Sequence, residues 1–188
     1  HLLKGLEPNG VPKNLRNSVY PFRYNNFDEL KNIVDNNDIG VVKMEVERNF
    51  GPENNFLEKV RNLCDEKNIV LVFDECSSGF RETYGGIFKK YDVYPDMAMF
   101  GKTLGNGYAI TAVVGKREVM ESAQKTFISS TFWTERIGPS AALNTLEVME
   151  RLKSWEIITE IGKKMHKGWL DLANQNNIKI SISGMPAM

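Results

Sequence analysis

The pattern of hydrophobic and polar positions along this 188-residue chain switches repeatedly between helical and strand spacing. Apolar side chains recur at helical intervals in residues 27–36, with Asn26 as the cap, and again in residues 54–68. The runs IGVVKMEV (39–46) and IVLVF (69–73) are rich in β-branched residues and predict strands. The second run has no polar residue, which is typical of a strand buried on both faces.

The second half of the chain continues this alternation. Strands are predicted at MAMF (97–100), ITAVVG (110–115) and the alternating segment IKISIS (178–183). The helical patterns cover residues 85–92, 116–124, 138–152 and 155–174. Helices that alternate with apolar strands predict an α/β fold, in which a mostly parallel sheet is flanked by helices.

A domain boundary is predicted near residue 153. The helix that follows is more charged and ends near a new strand, so we divide the chain into a first domain over 1–153 and the start of a smaller α/β domain over 154–188. The chain begins without methionine and stops directly after the last predicted strand. We therefore expect it to be a fragment of a longer protein.

Charge and composition narrow the classes of partner. Lysine plus arginine and aspartate plus glutamate each number 24, so no basic field would attract nucleic acid or an anionic membrane. No apolar run approaches the roughly 18 residues of a membrane span, and the start lacks the regions of a signal peptide. Two cysteines and two histidines are too scattered for a metal site or a disulfide framework, so a cytoplasmic location is expected.

Lys102 lies among glycines in the segment MFGKTLGNGYA (99–109), directly after a predicted strand. Gly-Lys-Thr resembles the end of a phosphate-binding P-loop, and the acidic end of IVLVFDE resembles the strand that holds Mg²⁺ in P-loop ATPases. A P-loop needs a glycine five positions before Gly101, and this chain has Asp96 there. The intervening residues are an apolar strand, so a nucleotide site is disfavoured.

Asp74 and Lys102 each follow a predicted strand. Ligands of open parallel sheets bind beyond the carboxyl ends of the strands, so we expect both side chains at one edge. Taken singly, a capping aspartate and a solvated lysine are the more common interpretations, but the pair favours a functional site. It suits pyridoxal phosphate, because a lysine amine condenses with the aldehyde of this cofactor while a carboxylate keeps its ring nitrogen protonated.

Residues 71–120 resemble the core of the class III, fold-type I aminotransferases, the family that contains glutamate-1-semialdehyde 2,1-aminomutase. The shared pattern is Asp-Glu-x-x-x-Gly-Phe-Arg, then Pro-Asp, then Gly-Lys-x-x-Gly-x-Gly, and the resemblance extends roughly over residues 39–150. It implies the large-domain fold of pyridoxal-phosphate-dependent transferases for 1–153. It also implies that Lys102 forms the Schiff base with the cofactor and that Asp74 pairs with the ring nitrogen.

The same resemblance assigns further residues to the cofactor site. Cys76 stands where the family has valine or isoleucine under the cofactor ring, although it could also be simply a small buried residue. Glu45 matches an acid at the end of an earlier strand, but Val46 replaces the proline that usually follows. An ungapped match makes Thr134 the residue that reaches the cofactor phosphate of the partner subunit, and a shifted loop would give Thr131 this role.

Other positions bear on the substrate. Arg81 could meet a substrate anion, although a structural ion pair is the favoured interpretation. Trp133, Glu135 and Arg136 depart from the small residues common in the family, and we expect them to shape the substrate pocket.

The function implied by the resemblance is transfer of an amino group from a small-molecule donor to a carbonyl acceptor, in a homodimer. The alternatives are a 2,1-aminomutase of the glutamate-1-semialdehyde type and a non-catalytic fragment that retains the fold. Family members carry a phosphate-binding loop and a ring-stacking aromatic residue upstream of this region, and neither is in this chain. The fragment is therefore expected to be inactive alone.

Overall fold

The computed structural model describes residue 7 and residues 9–188. The helices within this part of the chain are α1 (Phe27–Asn36), α2 (Phe56–Lys67), α3 (Arg117–Met120), α4 (Ile137–Leu152) and α5 (Ser154–Gln175). The strands are β1 (Val41–Met44), β2 (Val70–Asp74), β3 (Met97–Phe100) and β4 (Ala112–Gly115). Short 3₁₀ helices occupy Lys13–Leu15, Ile87–Lys90, Lys102–Leu104 and Glu121–Lys125.

The four strands form one sheet in the order β1–β2–β3–β4. The first three strands are parallel, and β4 pairs antiparallel with β3. The register sets Phe73 opposite Ala98 and Asp74 opposite Met99. The predicted α/β fold with a mostly parallel sheet is confirmed, and the carboxyl ends of β2 and β3 lie at the same edge.

Local sequence explains where the elements begin and how they are buried. The Asn26 side chain accepts a hydrogen bond from the Glu29 amide at 3.1 Å, which caps α1 as predicted. Leu71 and Phe73 of β2 are fully buried on one face, and Val72 is 7 % exposed on the other. The unbroken apolar run of β2 is therefore buried on both faces, as expected for the centre of a parallel sheet.

The main hydrophobic core lies where α1 and α2 cover one face of β1 and β2. It contains Leu30 and Val34 from α1 and Val60 from α2, packed against the strands. Met185, near the end of the chain, is buried in the same core. A second, smaller cluster joins β3 and the glycine-rich segment to α4 through Ala98, Phe100, Leu104 and Ala142.

Three predicted elements differ in the structure. The segment 85–92 forms only the 3₁₀ helix Ile87–Lys90, and the positive φ of Gly85 (+111°) excludes that residue from a regular helix. Residues 116–124 divide into α3 and a 3₁₀ helix.

The strand predicted at 178–183 is wrong. This segment pairs with no strand among the described residues, and an alternating pattern alone cannot form a ladder. Within the described part of the chain, no helix combines the length and the apolar character that a membrane crossing requires.

Candidate active site

The carboxyl edge of the sheet brings Asp74 and Lys102 into one region. Asp74 is the last residue of β2, and Lys102 comes two residues after the end of β3, the neighbouring parallel strand. Gly101, between β3 and Lys102, is extended and passes over the turn that follows Asp74. A Cβ atom placed on Gly101 would lie 3.5 Å from Cys76 Sγ.

Lys102 adopts an uncommon backbone conformation. Its φ angle of +42° lies in the left-handed region, which costs a non-glycine residue roughly 1–2 kcal/mol. Gly105 makes the following turn possible, because a Cβ there would come within 2.3 Å of the Tyr108 carbonyl oxygen. The strained turn holds the lysine side chain at the carboxyl edge, where Nζ donates a hydrogen bond to Ser77 Oγ at 2.5 Å.

The Asp74 carboxylate has two partners. Oδ2 accepts from Lys43 Nζ at 2.7 Å, and Oδ1 accepts from the Cys76 amide at 3.2 Å. Burial alone would raise the pKa of Asp74, but Lys43 and the Cys76 amide together hold it below its ordinary value. The carboxylate is ionised at neutral pH, and 21 % of its side chain is exposed.

The turn that follows Asp74 is stabilised by a buried acid, Glu75. The Glu75 side chain is 1 % exposed, with Oε2 accepting from Ser78 Oγ at 2.6 Å and Oε1 from the Phe88 amide at 3.2 Å. Burial raises the pKa of Glu75. Gly79 allows the turn to pack, since a Cβ there would lie 2.7 Å from the Glu75 carbonyl oxygen and 2.8 Å from the Phe100 ring. These contacts hold the residues of the turn beside the two functional groups.

Cys76 lies within this turn, between the two functional groups. Its thiol pKa is raised by burial and by the neighbouring Asp74 carboxylate, so the thiol stays protonated and acts as a small apolar group. Its placement against Gly101 is compatible with packing under a cofactor ring, and this role stays a prediction.

The remaining candidates lie around this centre. Glu45, just after β1, pairs with Arg48 at 3.5 Å and lines a cleft of about 540 Å³ that also includes Lys43. Thr131 and Thr134 are both exposed in the loop before α4. The roles of all three residues stay predictions.

The loop before α4 nevertheless reaches Lys102. A cleft of about 640 Å³ is lined by Lys102, by the segment 108–111, and by Ser130, Phe132, Glu135 and Pro139. Glu135 also accepts a hydrogen bond from the Gly138 amide at 3.2 Å, which satisfies a free donor at the start of α4. A cleft of this size beside the lysine has room for a small aromatic cofactor with its substrate.

Arg81 differs from its favoured interpretation. Among the described residues it forms no ion pair, and its Nε donates instead to the Ser77 carbonyl oxygen at 2.9 Å. It lines a separate cleft of about 470 Å³ with Thr103, Asn106 and Asn144. Arg81 therefore supports the turn through a backbone hydrogen bond, and the favoured interpretation as an ion pair is wrong for the described residues.

Two residues that contact Asp74 and Lys102 were not predicted from the sequence, namely Lys43 and Ser77. Lys43 lies on the exposed face of β1, where strand alternation separates it from the buried Val42 and Met44. Ser77 is three residues after Asp74, in a turn whose path the sequence does not reveal. The alternation of β1 could have placed Lys43 on the face of Asp74, but only if the register between β1 and β2 had been known.

The residues present fit pyridoxal phosphate at the level of chemistry. Lys102 offers an amine beside an open cleft, and Asp74 offers an ionised carboxylate at the same edge. Both features are needed by a cofactor that carries an aldehyde and a basic ring nitrogen.

Comparison with known proteins identifies the family of this chain. Residues 49–188 match the family described as aminotransferase class-III. The chain is 36 % identical over 188 residues to 3-aminobutyryl-CoA aminotransferase of Cloacimonas acidaminovorans, covering 95 % of this chain and 45 % of the relative. It is 32 % identical over 186 residues to glutamate-1-semialdehyde 2,1-aminomutase of Methanothrix thermoacetophila, covering 95 % of this chain and 43 % of that protein. The chain thus spans less than half the length of these curated relatives.

Solved structures share the fold. The structure of the FumI protein of Sphingopyxis sp. MTA144 in its PLP internal aldimine form matches with a TM-score of 0.83 and 24 % identity, over 88 % of this chain and 42 % of that one. Ornithine aminotransferase of Plasmodium yoelii matches with a TM-score of 0.76 and 22 % identity, over 88 % and 46 % of the two chains. From the family match, the relatives and the fold together, the chain belongs to the class-III aminotransferases, whose cofactor is pyridoxal phosphate.

Proposed function

We propose that the full-length protein transfers an amino group from a small amino donor to a carbonyl acceptor, with pyridoxal phosphate attached through Lys102. The observation that carries this proposal is the placement of Lys102 and the ionised Asp74 at one edge of the sheet, where Lys102 lines a cleft of about 640 Å³. When bound, the cofactor supplies the aldehyde that links to an amine and a ring that accepts the electron pair left by a departing proton.

Lys102 has two tasks in this proposal. Its amine holds the cofactor until the amino substrate replaces it, and the freed amine then moves the proton that leaves the substrate Cα. Ser77 supports both tasks, because its hydroxyl accepts from Nζ in the charged state and can donate to Nζ in the neutral state. The left-handed backbone at Lys102 keeps the amine near this hydroxyl.

Asp74 supplies fixed negative charge for the cofactor ring. Its carboxylate is ionised at neutral pH, so it can hold the ring nitrogen in the protonated state that strengthens electron withdrawal. Cys76 would pack against the ring, and Glu45 and Thr131 or Thr134 would complete the site. These three contributions rest on the family resemblance.

A homodimer belongs to the same proposal. The loop before α4 exposes large apolar side chains, with Phe127 96 % and Trp133 68 % exposed. A second copy that covers this loop would bury that surface and bring Thr131 or Thr134 to the other subunit's cofactor. The molecular mass of the full-length protein in solution, measured by light scattering, tests this part.

The covalent link is tested by reduction of the cofactor-loaded full-length protein with borohydride, followed by digestion and mass spectrometry. We expect the cofactor mass on the peptide that contains Lys102. The Lys102→Ala variant should lose this mass and the visible absorption band, whereas Lys125→Ala, at an exposed position, should retain both. A retained band in Lys102→Ala, or attachment to another lysine, would refute the assignment.

A 2,1-aminomutase is the second candidate, and it is supported by the 32 % identity to the relative of that name. The two functions differ in where the nitrogen goes. With a ¹⁵N-labelled amino substrate and an unlabelled carbonyl compound, a transferase moves the label to the second molecule, whereas a mutase keeps it in the first carbon skeleton. Mass spectrometry of the products separates these outcomes.

A further inference from the structure

Lys43 on the neighbouring strand β1 forms an ion pair with Asp74, the carboxylate assigned to the cofactor ring. Lys43 lies opposite Val72 in the β1–β2 register, and Asp74 lies two residues further along β2 on the same face. Lys43 Nζ reaches Asp74 Oδ2 at 2.7 Å, and its side chain is 53 % exposed. The Lys43 side chain therefore holds the carboxylate while remaining half exposed.

The groups around Asp74 determine how strongly the Lys43 ion pair affects its carboxylate. The charged or titratable groups next to the carboxylate are Lys43 on β1 and Glu75 and the Cys76 thiol in the turn, and Lys102 acts on Cys76 from the end of β3. Of these, only Lys43 forms an ion pair with Asp74 among the described residues. A carboxylate that accepts hydrogen bonds at both oxygens and carries a cation on one of them attracts a second cation less strongly.

We propose that Lys43 is a positioning residue that shares the Asp74 carboxylate with the cofactor, so that the ring nitrogen holds its proton less tightly than it would beside an unpaired aspartate. This inference rests on the proposed function, because it requires that Asp74 face the ring nitrogen. Lys43 fixes the orientation of the carboxylate before the cofactor arrives. It also moderates the electron-withdrawing strength of the ring once the cofactor is bound.

The test uses full-length protein loaded with pyridoxal phosphate labelled with ¹⁵N in the ring, and follows the ring ¹⁵N shift by NMR as the pH rises. Lys43→Met removes the charge and keeps an apolar stem of similar length. We expect the ring proton of this variant to be retained to higher pH, by about one pKa unit. Lys43→Arg keeps the charge and should titrate like the wild type.

A second measurement does not depend on turnover. We expect Lys43→Met to bind pyridoxal phosphate roughly tenfold more tightly, relative to an analogue with a CH group in place of the ring nitrogen. Lys43→Arg should leave this ratio unchanged.

Equal ring titration in the wild type and Lys43→Met, with a normal visible band in both, would overturn the role of Lys43 alone. A wild-type protein without the lysine-bound cofactor band would instead refute the proposed function and this inference with it.

Discussion

The two ends of the sheet each carry an aspartate, and they use it in opposite ways. Asp96 lies just before β3 at the amino end, where it is 7 % exposed, and Asp74 lies at the carboxyl end of β2. Asp96 Oδ2 accepts from the Leu71 amide at 2.8 Å and from Arg61 at 3.0 Å, and Oδ1 pairs with Lys116 at 2.8 Å. This carboxylate connects α2, β2 and the residue that follows β4.

The partners of the two aspartates show that Asp74, and not Asp96, is available for chemistry. Asp96 is largely buried and both of its carboxylate oxygens are taken by three partners from different parts of the fold. Asp74 has one backbone partner and one half-exposed lysine, and its side chain borders the open edge. The pKa values of both aspartates are lowered by their partners. The direction of the pKa shift alone would therefore not have separated Asp96, the structural acid, from Asp74, the candidate for catalysis.

The largest expected effect is the loss of stability in Asp96→Ala. Removing this carboxylate leaves the buried Leu71 amide without its acceptor and the largely buried Arg61 with Asp65 as its remaining acid, which should cost about 3 kcal/mol. Urea unfolding of the full-length protein, followed by circular dichroism, measures the change in the free energy of unfolding. A loss below about 1 kcal/mol would mean that Asp96 is not the structural centre of this end of the sheet.

Asp74→Asn should lower the activity strongly and change the stability little, the opposite of Asp96→Ala. We expect kcat to fall by roughly 10²–10³-fold, because a neutral amide cannot hold the ring nitrogen protonated. The free energy of unfolding should change by less than about 1 kcal/mol, since the residue is partly exposed and the amide can still accept hydrogen bonds. Steady-state kinetics and urea unfolding on the same preparation check both halves. A large loss of stability with an unchanged kcat would mean that Asp74 is a structural residue and does not act on the cofactor.

The third prediction concerns acid stability. Burial alone would raise the pKa of Asp96, but Lys116, the Leu71 amide and Arg61 lower it below its ordinary value of 3.8. A lowered folded-state pKa gives stability that is present above the unfolded pKa and is lost as the pH falls through the folded value. The stability advantage of the wild type over Asp96→Asn should therefore be constant between pH 5 and 7 and shrink below about pH 4. Urea unfolding across this range measures the difference, and an advantage that grows on acidification would contradict the ion-pair assignment.

The smallest expected effect is at Ser77. Ser77→Ala removes the hydrogen-bond partner of Lys102 Nζ, which is worth about 1 kcal/mol and predicts a roughly fivefold lower kcat with little change in KM. Ser77→Thr keeps the hydroxyl and should restore most of the rate. If alanine and threonine behave alike, the hydroxyl does not position the amine.

Much of the fold followed from local pattern. Helical spacing predicted α1, α2, α4 and α5 to within a few residues, and the unbroken run of β2 predicted burial on both faces. The strand at 178–183 failed because alternation describes only one strand, and a ladder requires a partner that local sequence does not provide. The segments 85–92 and 116–124 contain shorter helices than predicted, and in the first of them Gly85 has a positive φ.

Local sequence was enough to predict the candidate chemistry: a lysine among glycines, an aspartate after a buried strand, and a spacing of the two that resembles the class-III aminotransferases. Asp96 in place of a glycine also disfavoured a P-loop. The contacts of the two residues, Lys43 with Asp74 and Ser77 with Lys102, became known only from the folded structure. The physical reason is that strand register and the path of a turn are set by packing across the sheet, and no local spacing contains that information.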